Sequence, residues 1–172
     1  MNSMNAALEL GRPHPGRIEG TAVWNAVVPL GRVLFSAIFV ASGISHFTSP
    51  VIAYAAGAGV PAPGLLVPAS GVLALLGGLS VALGYRANVG AWLLVVFLVP
   101  ITLTMHAFWA VDDPFMAQIQ QAMFMKNLAL LGGALLVAGL GAGPVSLDAR
   151  SPVGRMSGRG NRSVARVSTR GQ

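Results

Sequence analysis

The sequence has 172 residues, of which 54% are apolar and only 9% are charged, and its net charge is +6. A soluble domain carries about a quarter charged residues, so this chain lacks the polar side chains to cover a water-facing surface. Its length leaves room for one domain. The absence of cysteine excludes disulfides, thiolate metal sites and Cys-ligated clusters. A redox role would therefore need a cofactor or a partner protein.

Four apolar stretches follow one another, near residues 27–47, 64–84, 89–109 and 122–142. Each spans roughly 20 residues, which as a helix matches a hydrocarbon core of about 30 Å. Backbone polar groups in lipid need internal partners, and the stretches lack the alternating polarity of barrel strands. We therefore expect an all-α membrane protein, a four-transmembrane-helix bundle. Residues 1–22 have no apolar run long enough for a cleavable signal, so the first helix should be retained.

The connections between the stretches differ in kind. Residues 85–88 ("YRAN") predict a tight turn, whereas residues 48–63 are longer, uncharged and suited to a short helix in the membrane interface. Asp113 followed by Pro114 resembles a helix start, with the aspartate as N-cap. The fourth helix is therefore expected to begin early, before it enters lipid.

The basic residues indicate the orientation. Nine lysines and arginines, including Arg86 in the tight turn, fall on the side of the two termini, and loops 48–63 and 110–121 have none. Cytoplasmic segments carry such an excess, so both termini should face the cytoplasm.

Three segments are expected on this basis: a cytoplasmic tail at 1–24, the membrane domain at 25–147, and a basic, disordered cytoplasmic tail at 148–172. The arginines of the last segment recur at helical spacing, so specific binding to anionic lipid or RNA is an alternative. Its glycines argue against a stable helix. We expect membrane lipids, and no nucleic acid, as its partners.

Small residues predict where helices approach each other, because lipid offers no hydrophobic drive for their association. Ala74 and Gly78 belong to one such ridge on the second helix, Ala37 and Ala41 to another on the first, and Gly133 to a third on the fourth. Arginine is costly inside a membrane unless it is paired or reaches the interface. Arg32, one to two turns into the first helix, is expected to extend to the cytoplasmic interface.

Several polar and aromatic residues are expected to meet at the outer ends of the helices, namely His46, His106, Trp109, Lys126 and Asn127. They are either interfacial residues, with Lys126 at the interface or bonded to Asp112 or Asp113, or a binding site. A haem or metal site is less well supported, since the ligands are few and no HxxxH or ExxH spacing exists. No nucleotide or nucleophile motif appears, so we expect no metal site and no catalysis by this chain alone.

Four segments resemble the successive signatures of the DoxX family: GRVLFSAIFVASGISHF, SGVLALLGGLSVALGYR, MHAFW and FMKNLALLGGALLVAGLGAGPVSLD. The resemblance covers residues 31–150. It implies a four-helix protein of the bacterial inner membrane, multi-pass. Members include a subunit of a thiosulfate:quinone oxidoreductase and a membrane partner in a complex that deals with thiol and oxidative stress.

The resemblance also carries residues over by position. Recurrent polar positions of the family match Arg32, His46, His106, Lys126 and Asn127. Many members have a glutamate in the second helix where this chain has Ala74, so proton or quinone chemistry assigned to that carboxylate is in doubt here.

Three functions remain open. The chain is the membrane subunit or anchor of a quinone-linked oxidoreductase, or a non-catalytic assembly or stress factor, or a transporter of a small solute. In the first case a quinone would sit, bound non-covalently, at the outer level of His46, His106 and Lys126. A histidine and the lysine would donate to its carbonyls, and Trp109 or Phe108 would stack on its ring. Electrons would come from a soluble or membrane partner protein. A homo-oligomer is an additional expectation.

The orientation can be tested with a reporter enzyme that is active only outside the cytoplasm. We expect activity when the reporter is inserted near Pro61 and none when it follows Gln172. The reverse pattern would contradict the assigned topology.

Overall fold

The computed structural model describes residues 15–150, with side chains from Ala22 onward. Most of the predicted N-terminal tail and the arginine-rich part of the C-terminal tail lie outside the described residues. The elements in chain order are α1 Pro15–Ser45, α2 Ser49–Gly57, α3 Pro63–Leu83, α4 Ala87–Met105, a 3₁₀ turn Phe108–Ala110, α5 Pro114–Leu140 and α6 Leu147–Arg150.

The described part of the chain is all-helical, and four of its segments are long and apolar enough to cross a membrane. These segments are Ala22–Ser45, Pro63–Leu83, Ala87–Ala110 and Pro114–Leu140. The predicted all-α, four-helix membrane fold is therefore confirmed. α1 packs on α3, α3 on α4, and α4 on α5, and the short α2 lies against α3.

Two local predictions about the connections are confirmed. A short helix, α2, occupies Ser49–Gly57 of the uncharged loop. α5 begins at Pro114, where the side chain of Asp113 accepts a hydrogen bond of 2.7 Å from the Met116 amide. This cap satisfies one of the amide donors that the first turn of a helix leaves without an intrahelical partner.

Glycines make the closest contacts between neighbouring helices. A Cβ added at Gly43 of α1 would lie 2.9 Å from the carbonyl oxygen of Gly71 on α3, and a Cβ at Gly71 would lie 2.9 Å from that of Gly43. α3 and α4 meet in the same way, because a Cβ at Gly77 would lie 2.9 Å from the Gly90 oxygen. These backbones approach each other only because neither helix carries a side chain at the contact.

The small residues expected on α3 and α5 also lie at contacts. Ala74 is fully buried in the core. A Cβ at Gly78 would lie 3.2 Å from the Cβ of Phe39, and one at Gly133 would lie 2.7 Å from the Phe35 ring. Phe35 of α1 therefore packs directly on α5.

The ridge expected on α1 was placed on the wrong face. Ala37 and Ala41 are exposed, whereas Ser36, Phe39 and Gly43 are buried against the bundle. Small size alone did not identify the packed face, since α1 is apolar on all sides and gives no strong periodic signal.

Arg32 of α1, which is expected to extend to the cytoplasmic interface, binds the segment that follows α5. Its side chain is buried, and its guanidinium donates to the carbonyl oxygen of Ala142 and, over 2.7 Å, to that of Val145. Its Nε has no acceptor among the described residues. Both carbonyls belong to the non-helical segment between α5 and α6, whose backbone groups need partners from elsewhere in the protein. Arg32 therefore ties α1 to the end of α5.

Asp148 makes a second connection at the same end of the bundle. Its carboxylate accepts hydrogen bonds from the backbone amides of Arg86, over 2.7 Å, and Ala87, over 3.1 Å. Its own amide donates to the Gly84 oxygen over 2.8 Å. Gly84 and Arg86 both adopt left-handed backbone conformations, which form the tight α3–α4 turn. Asp148 thus caps the first turn of α4, a position at which a negative charge is stabilising.

The glycine contacts predict opposite effects for two substitutions of the same kind. Gly77→Ala would place a methyl group 2.7 Å from the Leu94 side chain and 2.9 Å from the Gly90 oxygen. We expect it to lower the free energy of unfolding by about 1–3 kcal/mol, as overpacking does. The measurement is unfolding in detergent followed by circular dichroism.

Gly132→Ala is the matched control, because nothing lies within 4 Å of a Cβ at that position. Alanine has the higher helix propensity, so this variant should be neutral or more stable by up to about 1 kcal/mol. Equal destabilisation by both substitutions would contradict the packing.

Candidate ligand-binding cleft

A cleft of about 790 Å³ lies at the end of the bundle opposite Arg32, between α1, α3 and α4, with α2 across one side and α5 along another. Most of its walls are apolar, with contributions from Phe39, Val67, Leu73, Phe97, Ile101 and Leu130. Its polar side chains are Ser42, His46, Tyr54, Ser70, Thr104, His106, Lys126 and Asn127. Apolar walls with a few converging polar groups are typical of small-molecule sites.

Four of the five residues expected at one outer level line this cleft: His46, His106, Lys126 and Asn127. Trp109 does not. It is 60% exposed, and its ring packs edge-on against Phe108 and Phe124 outside the cleft. The 3₁₀ turn after α4 places it there, so a stacking role for Trp109 on a ligand in this cleft is not compatible with its position.

His46 is held in place by its own helix and by a ring on α4. It directly follows α1, and both its backbone amide and its ring Nδ1 lie within hydrogen-bond distance of the Ser42 carbonyl oxygen, at 3.1 and 2.6 Å. Its ring meets the buried Phe97 ring edge-on at a centroid distance of 5.7 Å. Its Nε2 has no hydrogen-bond partner among the described residues.

His106 belongs to a chain of three side chains from three elements. Its Nδ1 lies 2.8 Å from Oε1 of Gln120 on α5, and Nε2 of Gln120 donates to the hydroxyl of Tyr54 on α2 over 3.2 Å. α2 packs mainly on α3, so this chain connects the loop helix to the far side of the cleft.

Asn127 is the most deeply buried polar residue in the cleft, with 6% of its surface exposed. Within the part of the chain that the structure describes, its side-chain amide has no hydrogen-bond partner. Its amide atoms are not among the fully enclosed side-chain atoms that have no partner, so they are accessible from the cleft. Its amide can both donate to and accept from a ligand.

Lys126 is exposed beside Asn127 and contacts the sulfur of Met123 at 3.5 Å. The expected bond to Asp112 or Asp113 is not formed: among the described residues Lys126 has no ion pair, and the Asp113 carboxylate caps α5 instead. Its ammonium group therefore stays available at the edge of the cleft.

Two family models match the chain. The DoxX model matches residues 27–107, and the model of the SURF4 family matches residues 70–151. Over residues 27–107, a little under half of its length, the chain is similar to the DoxX family. No solved structure matches it.

Residues from both matched regions line the cleft. His46 and His106 lie within residues 27–107, and Lys126 and Asn127 lie within residues 70–151. Ala74, where the resemblance implies a glutamate in many members, is fully buried and does not line the cleft. The polar groups of the cleft therefore do not include position 74, where many members of the family have a glutamate.

Sequence reasoning missed Tyr54 and Gln120. Gln120 lies seven residues before Asn127, which places both on one face of an α-helix, and this spacing was a usable signal. Tyr54 is the only aromatic residue of the uncharged loop 48–63, and nothing local indicated that it would face α5.

Proposed function

We propose that this DoxX-like protein is the membrane subunit, or anchor, of a quinone-linked oxidoreductase or redox-stress complex, and that the cleft binds the quinone. The observation that supports this most is the distribution of polarity in the cleft. Its walls are apolar, and its polar groups include the amide of the largely buried Asn127, which faces no partner among the described residues. A quinone has the matching chemistry, because its polar ring carries an apolar isoprenoid chain.

The size of the cleft suits this ligand. Small-molecule sites have volumes of about 300–1,000 Å³, and the cleft has about 790 Å³. Its aromatic and branched walls can bury a ring and the first part of an isoprenoid chain. Tyr54 and the α2 helix lie across one side, where they would limit contact of the ring with water.

Lys126 and Asn127 are suited to hold one oxygen of the ring. The Lys126 ammonium can donate to an oxygen at the edge of the cleft, and the Asn127 amide can donate from within it. A bound quinone would supply the electron-accepting chemistry that the side chains of this chain lack. The chain has no cysteine, and in its described part no three His, Asp or Glu residues converge.

A partner protein would therefore deliver the electrons, and this chain would contribute the quinone site and the membrane location. The excess of lysine and arginine on the side of the termini supports a cytoplasmic location of both. The cleft would then lie towards the outer face of a bacterial inner membrane. A partner that reaches it would be an outward-facing or membrane-embedded protein.

Binding of a decyl-substituted benzoquinone to the purified protein in lipid nanodiscs tests this function. We expect saturable binding to the unaltered protein and a loss of about tenfold in affinity for Asn127→Leu. The reason is that one buried hydrogen bond is lost, and about 1.4 kcal/mol corresponds to a factor of ten. Calorimetric titration provides the dissociation constants.

Trp109→Phe is the control for this titration. Trp109 lies outside the cleft, so its substitution should leave the affinity within about twofold. Absence of saturable binding to the unaltered protein would rule out the quinone site and would leave the assembly role as the better explanation of the fold.

A further inference from the structure

The hydrogen bonds of the two histidines determine which atoms they present to a ligand. Resting on the proposed function, we propose that the cleft binds the reduced, hydroxyl-bearing quinol more tightly than the oxidised quinone. His46 is the specificity-determining residue in this proposal. It accepts a hydrogen bond from the quinol, rather than donating to a quinone carbonyl as the sequence alone suggested.

The partner of His46 Nδ1 is a backbone carbonyl oxygen, that of Ser42, at 2.6 Å. A carbonyl oxygen can only accept a hydrogen bond, so Nδ1 must carry the proton. A neutral imidazole has one N–H, and its other nitrogen is then an acceptor. His46 therefore presents an Nε2 lone pair, and this nitrogen has no partner among the described residues.

The edge-on Phe97 ring and the adjacent α3 backbone hold the imidazole in this arrangement. A Cβ placed on Gly71 would lie 2.8 Å from the Cβ of His46, so the side chain is pressed against the glycine contact between α1 and α3. The acceptor at Nε2 is thus set by packing before a ligand binds.

In His106, as in His46, the hydrogen bonds place the proton on Nδ1. Nε2 of Gln120 donates to Tyr54, which leaves Oε1 of the same amide to accept from Nδ1 of His106. The Nε2 atom of a neutral His106 is then a second acceptor. Two histidines with acceptors towards one cleft favour a ligand that brings its own O–H donors.

A quinol oxygen meets this set of groups better than a quinone oxygen. It can donate its proton to His46 Nε2 and accept from the Asn127 amide. A quinone oxygen has only lone pairs, so beside His46 Nε2 it would leave two acceptors facing each other without a proton. A buried acceptor left without a donor is unfavourable, so we expect a preference of about tenfold for the reduced form.

This preference has a redox consequence. Tighter binding of the reduced form makes the bound quinone easier to reduce than the free one. A tenfold ratio of the two dissociation constants corresponds to a rise of about 30 mV in a two-electron potential.

The test compares a decyl-substituted benzoquinol with its quinone, titrated anaerobically into the unaltered protein in nanodiscs. We expect the quinol to bind about tenfold more tightly. For His46→Phe, which keeps an aromatic ring beside Phe97 but has no acceptor, the ratio of the two dissociation constants should fall to near one. The ratio is the readout, because the quinol loses its acceptor in this variant and the quinone loses an unfavourable acceptor–acceptor contact.

A comparison that needs no variant uses a decyl-substituted hydroquinone and its dimethyl ether, which has no O–H donor. The hydroquinone should bind more tightly by a similar factor. Equal binding of the two, or tighter binding of the quinone than the quinol, would overturn the preference while leaving the quinone site intact. A preference that persists in His46→Phe would overturn the role of His46. If neither form binds to the unaltered protein, the proposed function fails as well.

Discussion

Close approach of helix backbones at glycine is the constraint on which the rest of this structure depends. Lipid surrounds the bundle and offers no hydrophobic drive for one helix to leave it and join another. The contacts at Gly43–Gly71 and Gly77–Gly90 hold α1 and α4 on the two sides of α3. The first of these contacts also positions His46, since the histidine Cβ lies directly against Gly71. The packing of α1 on α3 and the position of His46 therefore both depend on Gly71 of α3.

The two ends of the bundle use buried polar groups differently. At one end, Arg32 and Asp148 bind backbone groups of other segments, and these bonds fix the α3–α4 turn and the end of α5. At the other end, the Asn127 amide and His46 Nε2 have no partners among the described residues. Polar groups inside a membrane are costly unless something binds them. Arg32 Nε also has no acceptor among the described residues, but it is enclosed by protein, whereas the Asn127 amide is accessible from the cleft. This difference in access is the physical reason for assigning structure to the first end and ligand binding to the second.

Much of the fold could be predicted from the sequence, because span length and apolar composition determine which segments cross a membrane. The Asp113 cap could also be predicted from the sequence, since capping depends on neighbouring residues alone. The packed face of α1 could not be predicted, because an all-apolar helix has no polar side that distinguishes its faces. The role of Arg32 depends on carbonyls more than a hundred residues away, at Ala142 and Val145. Local sequence patterns do not indicate a contact between residues so far apart in the chain.

The candidate site was predicted in part for related reasons. Helix ends on the same side of a membrane lie at a similar depth. The predicted topology therefore placed His46, His106, Lys126 and Asn127 near one another. The level alone does not say which way a side chain points, and Trp109 lies outside the cleft. The proton position on His46 follows from the distance of 2.6 Å between its Nδ1 and the Ser42 carbonyl oxygen, which no sequence pattern indicates.

The central claim is that the cleft of the native protein holds a quinone, and the most direct measurement is the quinone content of the protein isolated from its own membrane. The protein and its Asn127→Leu variant would be extracted into nanodiscs with native lipid, and the quinones would be quantified per chain by mass spectrometry. We predict stoichiometric quinone with the unaltered protein and a lower content, closer to the level of the bulk lipid, with the variant. Quinone at the bulk lipid level in both preparations would contradict the account.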